Sequence, residues 1–144
     1  MARTVDRKNQ PVLIGDAAPS AGAHRHLTIL VIDDEEPIRL MIQDLLQLEG
    51  YTVLLAWNGK LGLECAQESH PDLILTDIMM PIMDGYELSR RLHADPQTAQ
   101  IPIIAMSAAF QQRYAGLFSA VITKPFELLP LLALINTHLG GLAK

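Results

Sequence analysis

Five short apolar runs, TILVI (28–32), TVLLA (52–56), DLILT (72–76), IPIIAM (101–106) and AVIT (120–123), are spaced along the chain with patterned segments between them. A run that is apolar at nearly every position, rather than at every second one, suits a strand buried on both faces, as in a parallel sheet. The intervening segments carry a helical period instead. EPIRLMIQDLLQLEG sets Ile38, Met41, Ile42, Leu45 and Leu46 at helical spacing, with Pro37 suited to the first turn and Gly50 to the exit. Asn58 can cap a second helix that reaches about Ser69, with Leu63 and Ala66 inward. A third starts near Asp84 and carries Tyr86, Leu88 and Leu92, and ELLPLLALINTHL (127–139) is the last. Such alternation implies right-handed crossovers and a doubly wound α/β domain, a five-stranded parallel sheet with helices on both faces.

A chain of 144 residues, 49% hydrophobic and 19% charged, suits a single domain. The net charge of −5 and the absence of a Lys/Arg cluster argue against a nucleic-acid partner. The longest apolar stretches, such as LLPLLALI (128–135), fall far short of the roughly 18 residues of a membrane helix. The N-terminus lacks a signal-peptide core, and the single Cys65 forms no internal disulfide, so a cytoplasmic protein with no membrane partner is expected. Residues 1–26 mix charge, Pro, Gly, Ala and Ser without a period and read as a flexible leader, within which PVLI (11–14) could dock on an exposed sheet edge or a neighbouring chain. The domain then covers 27–139 and leaves a short tail, 140–144.

Ligands of open α/β sheets bind beyond the carboxyl ends of the strands. There this chain places Asp33 and Asp34 after the first strand, Asp77 after the third, Ser107 after the fourth, and Lys124 followed by Pro125 after the fifth. Three carboxylates brought together raise one another's pKa unless a cation offsets them. A hard divalent ion, Mg²⁺ or Mn²⁺, matches oxygen ligands of this kind. A carboxylate in such a setting can attack phosphorus to give an aspartyl phosphate, with Lys124 balancing the incoming charge and Ser107 hydrogen-bonding a phosphoryl oxygen.

VIDDEE, LILTDIMMPIMDG, IIAMSA and ITKPF, in that order and spacing, resemble the receiver domain of two-component response regulators over about residues 27–139. The resemblance implies a flavodoxin-like sheet of order 2-1-3-4-5. It implies Asp77 as phosphoacceptor, with Asp33, Asp34, Asp77 and the backbone carbonyl of Met79 around the metal. Ser107 becomes the switch hydroxyl and Lys124 the phosphate contact, with the Lys124–Pro125 bond cis, while Pro81, Asp84 and Gly85 shape the loop beyond the acceptor. The family's phosphodonor is a histidine kinase or a phosphotransfer protein, and hydrolysis of the acyl phosphate ends the signal, so the chain is not a conventional enzyme. With about five residues after 139, it reads as a stand-alone receiver that signals through protein contacts.

Three features depart from that pattern. Val121 occupies the position where many receivers carry a switch aromatic, and neither Tyr114 nor Phe118 sits in register to replace it. Sixteen residues separate Ser107 from Lys124, fewer than is usual, so the fourth helix must be short or irregular. In the last helix, if Leu128, Leu131, Leu132, Ile135 and Leu139 face the core, then Leu129, Ala133 and Leu134 form a second apolar stripe, a candidate surface for a homodimer or a downstream target. The first two departures leave open a pseudo-receiver, a binding module that is little phosphorylated. An aspartyl-nucleophile phosphohydrolase is a third reading, weakened because Asp33 is followed directly by Asp34 and Glu35 and no cap domain fits. Simpler roles remain for other residues: Asp33 and Asp34 as helix caps, Met79, Met80 and Met83 as loop packing, Cys65 as core. His24 and His26 could chelate a metal, His70, His93 and His138 read as surface or cap residues, and Trp57 reads as partly buried.

Overall fold

In a computed structural model, residues 12–14, 26–108 and 112–143 are described, with 12–14, 113–115 and 141–143 described by backbone alone. β1 (Val12–Ile14) and β2 (Thr28–Ile32) lead into α1 (Glu36–Leu48) and β3 (Thr52–Ala56), then α2 (Gly59–Ser69) and β4 (Leu73–Asp77). α3 (Gly85–Ala94), β5 (Ile103–Ser107), a 3-10 helix (Gln112–Leu117), β6 (Ala120–Thr123) and α4 (Leu128–Ala143) complete the order.

The sheet runs β1-β3-β2-β4-β5-β6. All pairs from β3 to β6 are parallel and in unbroken register, so the five parallel strands take the order expected from the sequence. Their uniform hydrophobicity has a direct cause in packing. Along β2, Ile29 and Val31 join the core shared with α1 and α4, while Leu30 and Ile32 join the core shared with α2 and α3. Both faces of the central strands are therefore dry.

Local signals act where the sequence placed them. The Asn58 side chain accepts a hydrogen bond from the Leu61 amide at 2.8 Å, and Asp84 accepts one from Glu87 at 2.9 Å. Gly50, at φ 94°, closes α1, where the Tyr51 amide donates to the Leu46 carbonyl at 3.1 Å.

Several boundaries differ from the sequence reading. β4 and β5 run one residue further, to Asp77 and Ser107, because both residues still pair with neighbouring strands. α4 continues to Ala143, through the stretch assigned to the tail, since nothing in LGGLA forces a stop. Val12–Ile14 forms a sixth, antiparallel strand on the β3 edge, the docking foreseen for PVLI, whereas Pro11, His24 and the rest of 1–25 lie outside the described residues. The irregular fourth helix is the 3-10 segment, held to α3 by a hydrogen bond from the Ser89 hydroxyl to the Leu117 carbonyl and by Tyr86 packing on Phe118, with ring centroids 6.0 Å apart. Among the described residues no helix is long and apolar enough to cross a membrane.

Candidate functional site

Because β2, β4 and β6 are parallel, their C-terminal ends deliver side chains to one rim of the sheet. Asp33 follows β2 and is fully buried, Asp77 ends β4 and is 7% exposed, and Lys124 follows β6. The Lys124 Nζ lies 3.1 Å from Asp33 Oδ2, 3.3 Å from Asp77 Oδ2 and 3.8 Å from Glu35 Oε1. Backbone bonds fix the three strand ends. The Lys124 amide donates to the Ser107 carbonyl at 2.9 Å, the Ile78 amide to Asp77 Oδ1 at 2.8 Å and the Glu35 amide to Asp33 Oδ1 at 2.9 Å. Lys124–Pro125 is cis, as the resemblance implied.

The electrostatics follow from this crowding. Burial pushes the Asp33 carboxyl up, and the charge of Asp77 adds to the push, against the lowering effect of the Glu35 amide and Lys124. Burial likewise raises Asp77; Lys124 opposes it and Asp34 adds to it. Burial pulls Lys124 down, yet the two carboxylates outweigh it and its pKa ends above the ordinary lysine value. One ammonium thus holds two buried carboxylates together.

Oxygens of Asp33, Glu35 and Asp77 all come within 4.8 Å of one another. Such a set of hard donors fits a divalent cation of the Mg²⁺ class. Glu35 was not foreseen as part of it; the signal available in the sequence was the unbroken acidic run DDEE. Asp34, assigned to the metal from the sequence, is exposed and enters through its charge on Asp77. Met79 is 70% exposed in the loop leaving Asp77, whereas Met80 and Met83 are half-buried against the α2–α3 core, which is the packing role the sequence reading gave them. Ser107 is buried beside Asp77's strand.

Gly85 belongs to the scaffold: a β carbon there would lie 2.7 Å from the Asp77 carbonyl oxygen. Pro81 is exposed, and Asp84 caps α3. Val121 sits opposite Ala105 in the sheet and packs in the core that contains Phe118. On α4, Leu129 is 78% exposed and Ala133 is exposed, but Leu134 packs partly against the α1–α4 core, so the stripe is narrower than the sequence suggested. Beside the acidic rim, Ile38, Met41, Ala108, Pro125, Phe126 and Lys124 line an open, mainly apolar cleft of about 290 Å³.

The sequence model for the response regulator receiver domain matches residues 29–136. The chain belongs to this family. It is 43% identical over 105 residues to the phosphate regulon transcriptional regulatory protein PhoB of Pseudomonas aeruginosa, an alignment covering 69% of this chain and 46% of that regulator. It is 31% identical over 119 residues to the polar-differentiation response regulator DivK of Brucella ovis, covering 78% of this chain and 96% of DivK. Among solved structures, the receiver domain of sensor histidine kinase PA1611 from Pseudomonas aeruginosa, described with a magnesium ion coordinated in its active-site cleft, superposes with a TM-score of 0.73 at 28% identity, covering 79% of this chain and 98% of that one. The chain spans about half the length, or less, of several curated relatives it matches. Its acidic pocket fits the phosphoacceptor role of a receiver in two-component signalling.

Proposed function

We propose that this receiver accepts a phosphoryl group on Asp77 from a histidine kinase or phosphotransfer protein and signals through phosphorylation-dependent protein contacts. The observation that carries this reading is the placement of the Asp77 carboxylate 3.3 Å from Lys124, beside the buried Asp33. In the transfer, an Asp77 carboxylate oxygen forms a bond to phosphorus as the bond from phosphorus to the donor's imidazole nitrogen breaks, and the electron pair leaves with the ring. Lys124 would pair with the phosphoryl oxygens, and Ser107, at the end of the neighbouring strand, would supply a hydroxyl to one of them. Asp33, Glu35 and Asp77 would hold Mg²⁺ or Mn²⁺, with Asp34 and the Met79 carbonyl completing the set; such an ion supplies charge neutralisation for the incoming phosphoryl group. The apolar cleft next to Lys124 supports docking of the phosphodonor beside the acceptor. Hydrolysis of the acyl phosphate and a cytoplasmic location belong to the same reading.

Output through α4, by Leu129 and Ala133 against a second copy or a downstream target, is the contact this reading favours. Val121 and the 3-10 segment support a second reading, a pseudo-receiver whose site binds without switching. Intact-mass measurement after incubation with Mg²⁺ and acetyl phosphate separates the two. One added phosphoryl group on the wild type and none on Asp77→Asn is the result expected; an unmodified wild type would sink the phosphoacceptor reading. Unchanged hydrodynamic size in a fluoroberyllate complex would favour the passive module.

A further inference from the structure

The two edges of the parallel sheet are closed differently. β6 is four residues long and runs straight into Lys124–Pro125, so that edge is short and ends in a charge and a residue with no amide to donate. Native sheets guard exposed edges with such features. β3 has none of them. Thr52–Ala56 is the uncharged stretch TVLLA, flanked by Tyr51 and Trp57 and free of proline. High β propensity with no charge marks a segment able to pair with copies of itself.

β1 covers this edge, with Val12 opposite Leu55, Leu13 opposite Leu54 and Ile14 opposite Val53. β1 is only three residues long and follows Pro11, so it makes a guarded edge in its turn. Ile14 and Ile29 both lie opposite Val53, on either side of β3, which puts them two strand spacings apart, roughly 10 Å. A ladder of three residue pairs is a short hold on that edge.

We infer that Val12–Ile14 is a removable guard, and that once it leaves, β3 pairs antiparallel with β3 of a second copy of this chain. The bound β1 shows that this edge accepts an antiparallel partner. Antiparallel pairing of an edge with its own copy is two-fold symmetric and closes at a dimer, and TVLLA brings no like charges face to face. The N-terminal segment then sets the oligomeric state, independently of the phosphoacceptor reading.

The test compares the full chain with a chain lacking residues 1–14, and with full-length Leu13→Pro, by size-exclusion chromatography with light scattering over a dilution series. The expected result is a doubling of the mass relative to the full chain in both variants, increasing with concentration and reversed by a peptide of residues 11–15. The β3 amides should stay protected from hydrogen exchange in the doubled species. Variants that remain folded at the mass of the full chain overturn the inference. So does a doubling that the peptide leaves intact, or one that Leu129→Lys on α4 abolishes. Loss of the fold in both variants also overturns it, since β1 would then be part of the core structure and not a guard.

Discussion

Lys124 and Asp33, 91 positions apart in sequence, form an ion pair of 3.1 Å in which the carboxylate is fully buried and the lysine side chain is 15% exposed. Asp77 shares the same ammonium at 3.3 Å. Replacing Lys124 by Met keeps the apolar stem and removes the charge, so two buried carboxylates lose their counter-charge. Breaking such a pair from one side costs about 3 kcal/mol. The loss depends on pH. Both carboxyls already sit above their ordinary values, chiefly through burial, and without Lys124 they rise further, so the native variant binds more protons than its unfolded chain and grows less stable as pH rises. The expected outcome, read from urea melts, is a large deficit at pH 7 that narrows toward pH 4. A deficit independent of pH would show that Lys124 stabilises by packing and not by charge.

Gly85 meets the strand that ends in Asp77 at closer range than any other residue type allows. A β carbon would stand 2.7 Å from the Asp77 carbonyl oxygen and 2.9 Å from the Ile78 α carbon, both backbone atoms that cannot swing aside. Its amide also donates to the Ile78 carbonyl at 2.8 Å. Gly85→Ala must push α3 away from β4, at a cost of about 1–3 kcal/mol. The same shift moves Asp77. A lowered urea midpoint together with slower labelling by acetyl phosphate is expected; a variant with wild-type stability would mean that this loop is looser than its packing indicates.

The sheet and the principal site were legible because each rested on a short-range signal. Apolar runs such as TILVI and TVLLA became strands with the expected ends, and Asp33, Asp77 and Lys124 met because parallel strands present their C-termini on one side. What escaped depended on contacts between distant segments. Glu35 joins the carboxylates through the turn into α1, which no spacing rule specifies. Leu134 packs partly against the core shared by α1 and α4, and helical periodicity alone leaves a helix's rotation undetermined when nearly every position is apolar. Val12–Ile14 could be named as an adhesive run, but its partner strand lay about forty residues away and its pairing is decided by which edge is left open.

Ile82 sits in the loop beyond Asp77 at φ 74°, with 76% of its surface exposed. A β-branched residue is the least suited to left-handed backbone, at roughly 1–2 kcal/mol, and little burial compensates here. Asn tolerates this conformation through its short polar side chain. Ile82→Asn should therefore stabilise the fold by about 1 kcal/mol, seen as a higher urea midpoint at an unchanged slope. A neutral or destabilising result would mean that the side chain makes contacts worth as much as the strain.

Alkaline pH tests the two cores through groups with no part in the acidic site. Burial pushes the Cys65 thiol up to about 11 from 9.0, with the charge of Glu68 adding to the rise and a Ser69 hydrogen bond opposing it. Burial and Glu49 push the Tyr51 hydroxyl up to about 12 from 10.0, and that hydroxyl donates to the Asn136 side chain at 3.0 Å, tying the exit of α1 to α4. Both groups are neutral when protonated. Above pH 9 the unfolded chain releases the thiol proton while the native chain retains it, and above pH 10 the same holds for the phenol. The native state then binds more protons, and stability falls as pH rises, by up to about 1.4 kcal/mol per pH unit for each group. Cys65→Ala removes the first contribution. Its stability should decline less steeply than the wild type between pH 9 and 10, whereas parallel curves for the two proteins would show that the native thiol ionises as readily as the unfolded one.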